Sequence, residues 1–101
     1  MTNYISKQQY AIQKARLTRV QNKLRKVAPE GITHQRAQAP DDGLRKALQA
    51  VIDEVNRTFK EWQDGNYAFP DDWHRWNIAR SDAEIELRFV QNVRYFQNYM
   101  S

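Results

Sequence analysis

Two histidines, His34 and His74, are the side chains of this 101-residue sequence whose ordinary pKa suits proton transfer near neutrality. His34 lies in a stretch of small and polar residues, His74 lies among tryptophans, and no third group at useful spacing orients either one as a base. Asp71, Asp72 and His74 offer metal-ligand types in one place. Consecutive helix positions point in different directions, however, and aspartates at a helix start are expected as caps. Glu84 and Glu86 read as solvated surface rather than a catalytic carboxylate pair. Gly31, Gly43 and Gly65 stand apart, so no glycine-rich phosphate loop is present, and the absence of cysteine excludes disulfides, thiolate zinc sites, iron–sulfur clusters and cysteine nucleophiles. We therefore expect no enzyme, no metal, no cofactor and no small-molecule substrate, which leaves binding.

Two groups of residues suit binding. Lys14, Arg16, Arg19, Lys23, Arg25 and Lys26 follow one another without an acid, near Tyr4 and Tyr10, and such a run attracts polyanions over roughly 8–10 Å at moderate salt. The reading to be preferred is a solvated helix face whose cations pair with acids of the other helices. No helix-turn-helix, zinc-finger or RNA-recognition signature accompanies the run, so nucleic-acid binding through it would be salt-sensitive and weakly selective. The second group is aromatic: Trp62, Tyr67, Phe69, Trp73 and Trp76 fall within fifteen positions. Such a cluster suits a structural lock across a helical turn, with Trp62 packed on Trp76 and the indole N–H groups reaching the wet end, or else a partner-binding hot spot.

Three segments must position these groups. Ser6 and Gln9 match a capping box, with Ile5 and Tyr10 placed as a hydrophobic staple, ahead of a helix from about Lys7 to Ala28. On it Tyr10, Leu17, Val20, Leu24 and Val27 share one face, Lys14 and Arg25 flank that face, and Arg16, Arg19, Lys23 and Lys26 cover the back. Residues 29–43, bracketed by proline and glycine, read as a linker. Leu44, Leu48, Val51, Ile52, Val55, Phe59 and Trp62 then step by three or four through a second helix over 42–64, started by Asp41 or Asp42, with Gly65 as its left-handed end. The third helix, over about 70–99, opens at Pro70 with Asp71 and Asp72 opposing the dipole. Trp76, Ala79, Ala83, Leu87 and Val90 form one face of it, and Ile78, Ile85, Phe89, Phe96 and Met100 the opposite one. A helix apolar on two sides is either sandwiched or half exposed for a partner, and Tyr95, Phe96, Tyr99 and Met100 extend the exposed candidate to the chain end. Strict alternation over Glu84–Phe89 also permits a strand there.

The expected fold is all-α: one domain over 1–101, a three-segment helical bundle whose second and third helices form an antiparallel hairpin, with the first helix packed on it or swung away. The formal net charge of +4 is unevenly spread, because residues 1–40 hold eight cations against the single acid Glu30, and the remainder holds eight basic and eleven acidic side chains. No run approaches the roughly 18 apolar residues of a membrane span, and MTNYISKQQY lacks the apolar core of a signal peptide. The expectation is a soluble, intracellular protein without membrane association.

Tyr4-Ile5-Ser6 leading into Lys14-Ala15-Arg16-Leu17-Thr18-Arg19, then Glu61-Trp62, then Phe69-Pro70-Asp71-Asp72-Trp73-His74-Arg75-Trp76 with Ala79 and Asp82-Ala83, resembles short helical proteins of actinobacterial phages, of the mycobacteriophage kind. The likeness covers the first helix and residues 61–83. It implies a non-virion phage protein made in the cytoplasm of the infected host cell, and it brings no activity and no functional residues. The C-terminal segment departs from the shorter relatives. Together these readings point to a small non-enzymatic protein that binds and modulates a host or phage macromolecular complex through helical and aromatic surfaces. The alternatives are a nucleic-acid-binding accessory factor using the basic first helix, and a self-assembling structural component.

Overall fold

The structure, a computed structural model, describes residues 3–28 and 42–100, and of residues 89 and 91–100 the backbone alone. Of the linker read over 29–43, Asp42 and Gly43 are helical instead, and residues 29–41, including His34, lie outside the described residues, as do the side chains of Phe89, Tyr95, Phe96, Tyr99 and Met100. The architecture is an all-α bundle of α1 (Lys7–Val27), α2 (Asp42–Asp64) and α3 (Trp73–Met100). Helix α2 packs against both others. Its contacts run antiparallel to each: Gln13 meets Trp62 and Leu24 clusters with Leu44 on one side, while Trp62 meets Trp76 and Leu48 clusters with Leu87 on the other. The central place of α2 follows from its sequence, since Ala47, Leu44, Leu48 and Ile52 span an arc of about 140° at 100° per residue, wide enough to face two neighbours. Among the described helices α3 therefore packs on α2 alone rather than being sandwiched, which leaves Ile78 and Ile85 exposed.

The start of α1 forms as its sequence implies, with the Ser6 hydroxyl accepting the Gln9 N–H at 3.1 Å and both Ile5 and Tyr10 packed on the core. The end of α2 differs from expectation in one respect. Asn66, not Gly65, takes the left-handed conformation, with φ of 54°. The N–H of Asn66 bonds to the Gln63 carbonyl at 3.1 Å and that of Tyr67 to the Trp62 carbonyl at 2.9 Å, the paired bonds of a Schellman cap with asparagine in the glycine position. Gly65 serves a different need, because a Cβ built there would stand 2.2 Å from Cε2 of Tyr67. Close approach of the phenol ring, not backbone handedness, requires the glycine.

Helix α3 begins at Trp73, three residues after the proline expected in its first turn. The Pro70 carbonyl accepts the Trp73 N–H at 2.9 Å, closing a turn through Asp71 and Asp72, so Asp72 immediately precedes the helix. Residues 84–89 are helical, which excludes the strand reading. Ala83, Leu87 and Val90 at helical spacing bury against α2, and this outweighs the local alternation. Glu84 is exposed and pairs with Arg80 one turn back at 3.8 Å, but Glu86 is 2% exposed and so is not the solvated surface residue its type suggests. Asn3 joins the connection between α2 and α3 through a single bridge to Tyr67, with the Ala68 N–H bonding to the Asn3 carbonyl at 2.8 Å.

Two clusters fill the interior. Around Leu48, Val51 and Ile52 the core is aliphatic and draws on all three helices, whereas around Trp62 and Trp76 it is aromatic and closes the end where α2 turns into α3. A methyl group at residue 65 would displace the Tyr67 ring from the second cluster. Gly65→Ala is expected to destabilise the protein by about 1–2 kcal/mol in urea unfolding, the usual cost of overpacking. In a Tyr67→Ala background the same substitution should cost much less, and equal costs in both backgrounds would refute the steric account.

Candidate functional site

The cations of α1 are sorted by what α2 places opposite them. Arg16 does not stay on the back of the helix. Its side chain folds over α2, where Nε lies 2.8 Å from Glu54 Oε1 and the guanidinium also meets Glu61 and, at 3.5 Å, the Thr58 hydroxyl. Arg57 approaches the same two carboxylates at 3.9 and 3.7 Å. Lys14 lies 3.7 Å from Asp72 and 4.7 Å from the centre of the Tyr10 ring, and Arg25 donates to Asn22 within its own helix at 3.3 Å. Arg19, Lys23 and Lys26 are exposed, and among the described residues none of them has an ion pair. Of the six-residue basic set, Arg16 is thus committed to α2, and a single uninterrupted stripe does not form.

Lys23 and Lys26 instead share an open groove of about 400 Å³ with Lys46 of α2, over Val27, Gly43, Ala47 and Ala50. Lys46 lay outside the basic set read from the sequence. Its relation to Lys23 and Lys26 follows only from the antiparallel pairing of α1 with α2. On the other side of α1 a cleft of about 310 Å³ has Leu17 and Trp76 at its base and Lys14, Thr18, Gln21, Asp72 and Arg75 at its walls. The phenol of Tyr10 donates to the Asp72 carboxylate beside that cleft. Burial, and then the bond to Asp72, push the Tyr10 hydroxyl up to about 12, while the Tyr10 hydrogen bond, helped by Lys14, holds the Asp72 carboxyl below its ordinary value.

The aromatic residues lock the hairpin. Trp62 meets Trp76 edge-on at 5.6 Å and Phe69 at 5.0 Å, Phe69 continues to Trp73 at 6.2 Å, and Phe59, which the sequence reading assigned to the core face alone, joins Phe69 at 5.3 Å. The Trp62 indole N–H does not reach the wet end. It donates at 2.9 Å to Oε1 of Gln13, and both residues are fully buried. His74 lies over Trp73 with ring centres 3.9 Å apart, and Asp72 is turned toward Tyr10 and Lys14, so the Asp71, Asp72 and His74 trio does not converge. Among the described residues no group of three or more histidines, cysteines or acids could hold a metal ion.

On the outward side of α3, Ile78 is 59% and Ile85 47% exposed. They lie seven residues apart, on one face, opposite Ala83 and Leu87. No described helix is long and apolar enough to cross a membrane. Compared with known proteins, the chain matches no family model and shows no significant similarity to any curated protein or solved structure.

The Tyr10 and Asp72 pair makes stability depend on pH with a definite sign. Because the folded Asp72 pKa lies below the ordinary 3.8, its contribution is present above that value and is lost as pH falls through the folded one. Tyr10 behaves oppositely, contributing below 10 and losing that contribution as pH climbs toward about 12. Tyr10→Phe should cost about 1 kcal/mol at neutral pH and flatten the fall of the urea midpoint below about pH 4. Parallel acid limbs in the two proteins would show that the pair does not set the pH dependence.

Proposed function

We propose that this is a small non-catalytic phage protein that acts inside the infected cell by binding, and so modulating, a host or phage protein complex, with the outer face of α3 as its contact surface. The observation that carries this reading is the exposure of Ile78 and Ile85 on a helix whose opposite face is already used by α2. Two β-branched side chains held in water on one helical face gain roughly 25 cal/mol for each Å² of apolar surface that a partner covers. The aromatic cluster supports the reading indirectly: by fixing the start of α3 against α2 it presents that face on a rigid element.

The nucleic-acid reading keeps Arg19, Lys23, Arg25 and Lys26 but has less to draw on, since Arg16 is held by Glu54 and Glu61 and Lys14 by Asp72. Salt separates the two, because phosphate contacts weaken steeply with ionic strength and an apolar contact does not. Wild-type protein used as bait in host lysate should retain a protein partner at about 0.5 M salt, where the Debye length is only a few Å, and after nuclease treatment. Ile78→Ser with Ile85→Ser should lose that partner while shifting the unfolding free energy by no more than about 0.5 kcal/mol. Equal retention by both proteins, or retention abolished by nuclease, would overturn the proposal.

A further inference from the structure

Helices α1 and α3 both pack on α2 and run the same way along it, but among the described residues their backbones do not approach one another. A furrow is left between them. It is bridged at the aromatic end, where the Tyr10 phenol donates to Asp72 and Lys14 lies 3.7 Å from the same carboxylate. Beside that bridge lies the cleft of about 310 Å³. Lys14, Thr18 and Gln21, spaced at i, i+4 and i+7, follow one face of α1 into it, Arg75 joins them from the first turn of α3, and Leu17 and Trp76 make its base. Gln21, the last of the α1 lining, comes nearly two turns before the helix ends at Val27. The polar groups are unequally used. Asp72 is taken up from α1 by Tyr10 and Lys14, whereas the exposed Arg75 favours the ionised form of Asp72 without an ion pair to it. The side chains of Arg75, Thr18 and Gln21 have no hydrogen-bonding or ion-pairing partner among the described residues.

We propose that this cleft binds a small organic monocarboxylate, its carboxylate received by the Arg75 guanidinium and the Thr18 and Gln21 side chains, and its compact apolar body laid over Leu17 and Trp76. Neither Ile78 nor Ile85 lines the cleft, so the inference stands without the outer face of α3. Three features of the lining select this ligand. Pockets that take small molecules measure roughly 300–1,000 Å³, and this cleft stands at the low end of that range, which suits a compact molecule rather than a polymer. Lys14 and Arg75 against Asp72 leave an excess of one positive charge. A single carboxylate cancels that excess, while a phosphate dianion would exceed it and stand against the ionised Asp72. The guanidinium fork matches a carboxylate in bidentate geometry, and the apolar base gives the ligand's body a place that an inorganic anion would leave unused.

The test uses the full chain, isotope-labelled on nitrogen, and hydrocinnamate, a phenyl ring on a short chain that ends in a carboxylate. Titration followed by proton–nitrogen NMR is expected to move the Thr18 backbone, Gln21 side-chain amide and Trp76 indole signals along one saturable curve, with a dissociation constant on the order of a millimolar. Two other ligands should each bind at least about tenfold more weakly: hydrocinnamamide, which keeps the body and lacks the charge, and phenethyl phosphate at a pH where it is a dianion. Arg75→Gln should weaken hydrocinnamate about tenfold, and so should Thr18→Tyr, which fills the cleft without changing its charge. Circular dichroism identifies which variants keep their helices, and the three ligands compared on the wild-type chain decide the matter whether or not they do. Equal binding of the amide would reduce the cleft to an apolar patch, and phosphate binding as tight as that of the carboxylate would reduce it to a general anion surface. Either result would overturn the proposal, as would a hydrocinnamate titration that fails to saturate or whose shifts centre on Lys23 and Lys26.

Discussion

Trp62 has to hide both a large ring and an indole N–H, and the way it does so ties the three helices together. Its ring packs edge-on against Trp76 of α3 and Phe69 of the connection, its N–H reaches Gln13 of α1, and its backbone carbonyl accepts the Tyr67 N–H that closes α2. An unpaired donor in such a place would cost roughly 1–3 kcal/mol, so the position of Gln13 on α1 is not interchangeable with that of another polar residue. The amide is itself a compromise. Its Oε1 is used, while its Nε2 is buried and has no hydrogen-bonding partner among the described residues. The bundle thus accepts one poorly satisfied amide in order to satisfy an indole and fix the register of α1 on α2, a trade that an apolar core residue at position 13 could not make.

Register then decides the electrostatics. Once Gln13 is opposite Trp62, the next turn of α1 brings Arg16 over Glu54, Thr58 and Glu61, and the following turns carry Lys23 and Lys26 past the last acid on that edge. The uneven charge of the sequence becomes an uneven charge along one seam. At its aromatic end cations and carboxylates compensate each other; at its aliphatic end the cations stand around small side chains. Lys14, on the other side of α1, is compensated separately by Asp72, whose own place is fixed by the Tyr10 phenol and the turn before α3. The distribution follows from pairing geometry and would change if α1 slid by one turn.

Much of this arrangement is legible in the residues. The stepping of Leu44, Leu48, Val51, Ile52, Val55 and Trp62 delimits α2 at its observed ends, because that segment meets helical neighbours along its whole length and its periodicity is uninterrupted. The aromatic lock and the apolar inner face of α3 are equally visible. What periodicity conceals is any residue whose role depends on a distant partner. Gln13 reads as polar surface until Trp62 is placed against it, Glu86 reads as exposed until α3 is packed, and Arg16 reads as solvent-facing because a long side chain can turn back from a position that points away. The start of α3 and the left-handed residue after α2 were displaced for a more local reason. Pro70 and Gly65 are the residue types those positions favour, but the turn used the Pro70 carbonyl, and the Tyr67 ring needed the space over Gly65.

Among the described residues, the exposed isoleucines of α3 and the lysines of the α1–α2 seam are unlike in kind and lie on different helices. On α3 the unmet requirement is apolar, two isoleucines in water on the side away from α2; on the α1–α2 seam it is electrostatic, three ammonium groups around a shallow apolar floor. Neither arises from lack of core material. Helix α2 buries residues toward both neighbours, and replacing Ile78, Ile85, Lys23 or Lys26 by small polar residues would leave every core contact in place. Selection for stability alone would remove the isoleucines from that face and place an acid among the lysines, since each change would favour the isolated fold. On the function proposed above, Ile78 and Ile85, which belong to neither core cluster, offset the cost of their exposure in a complex.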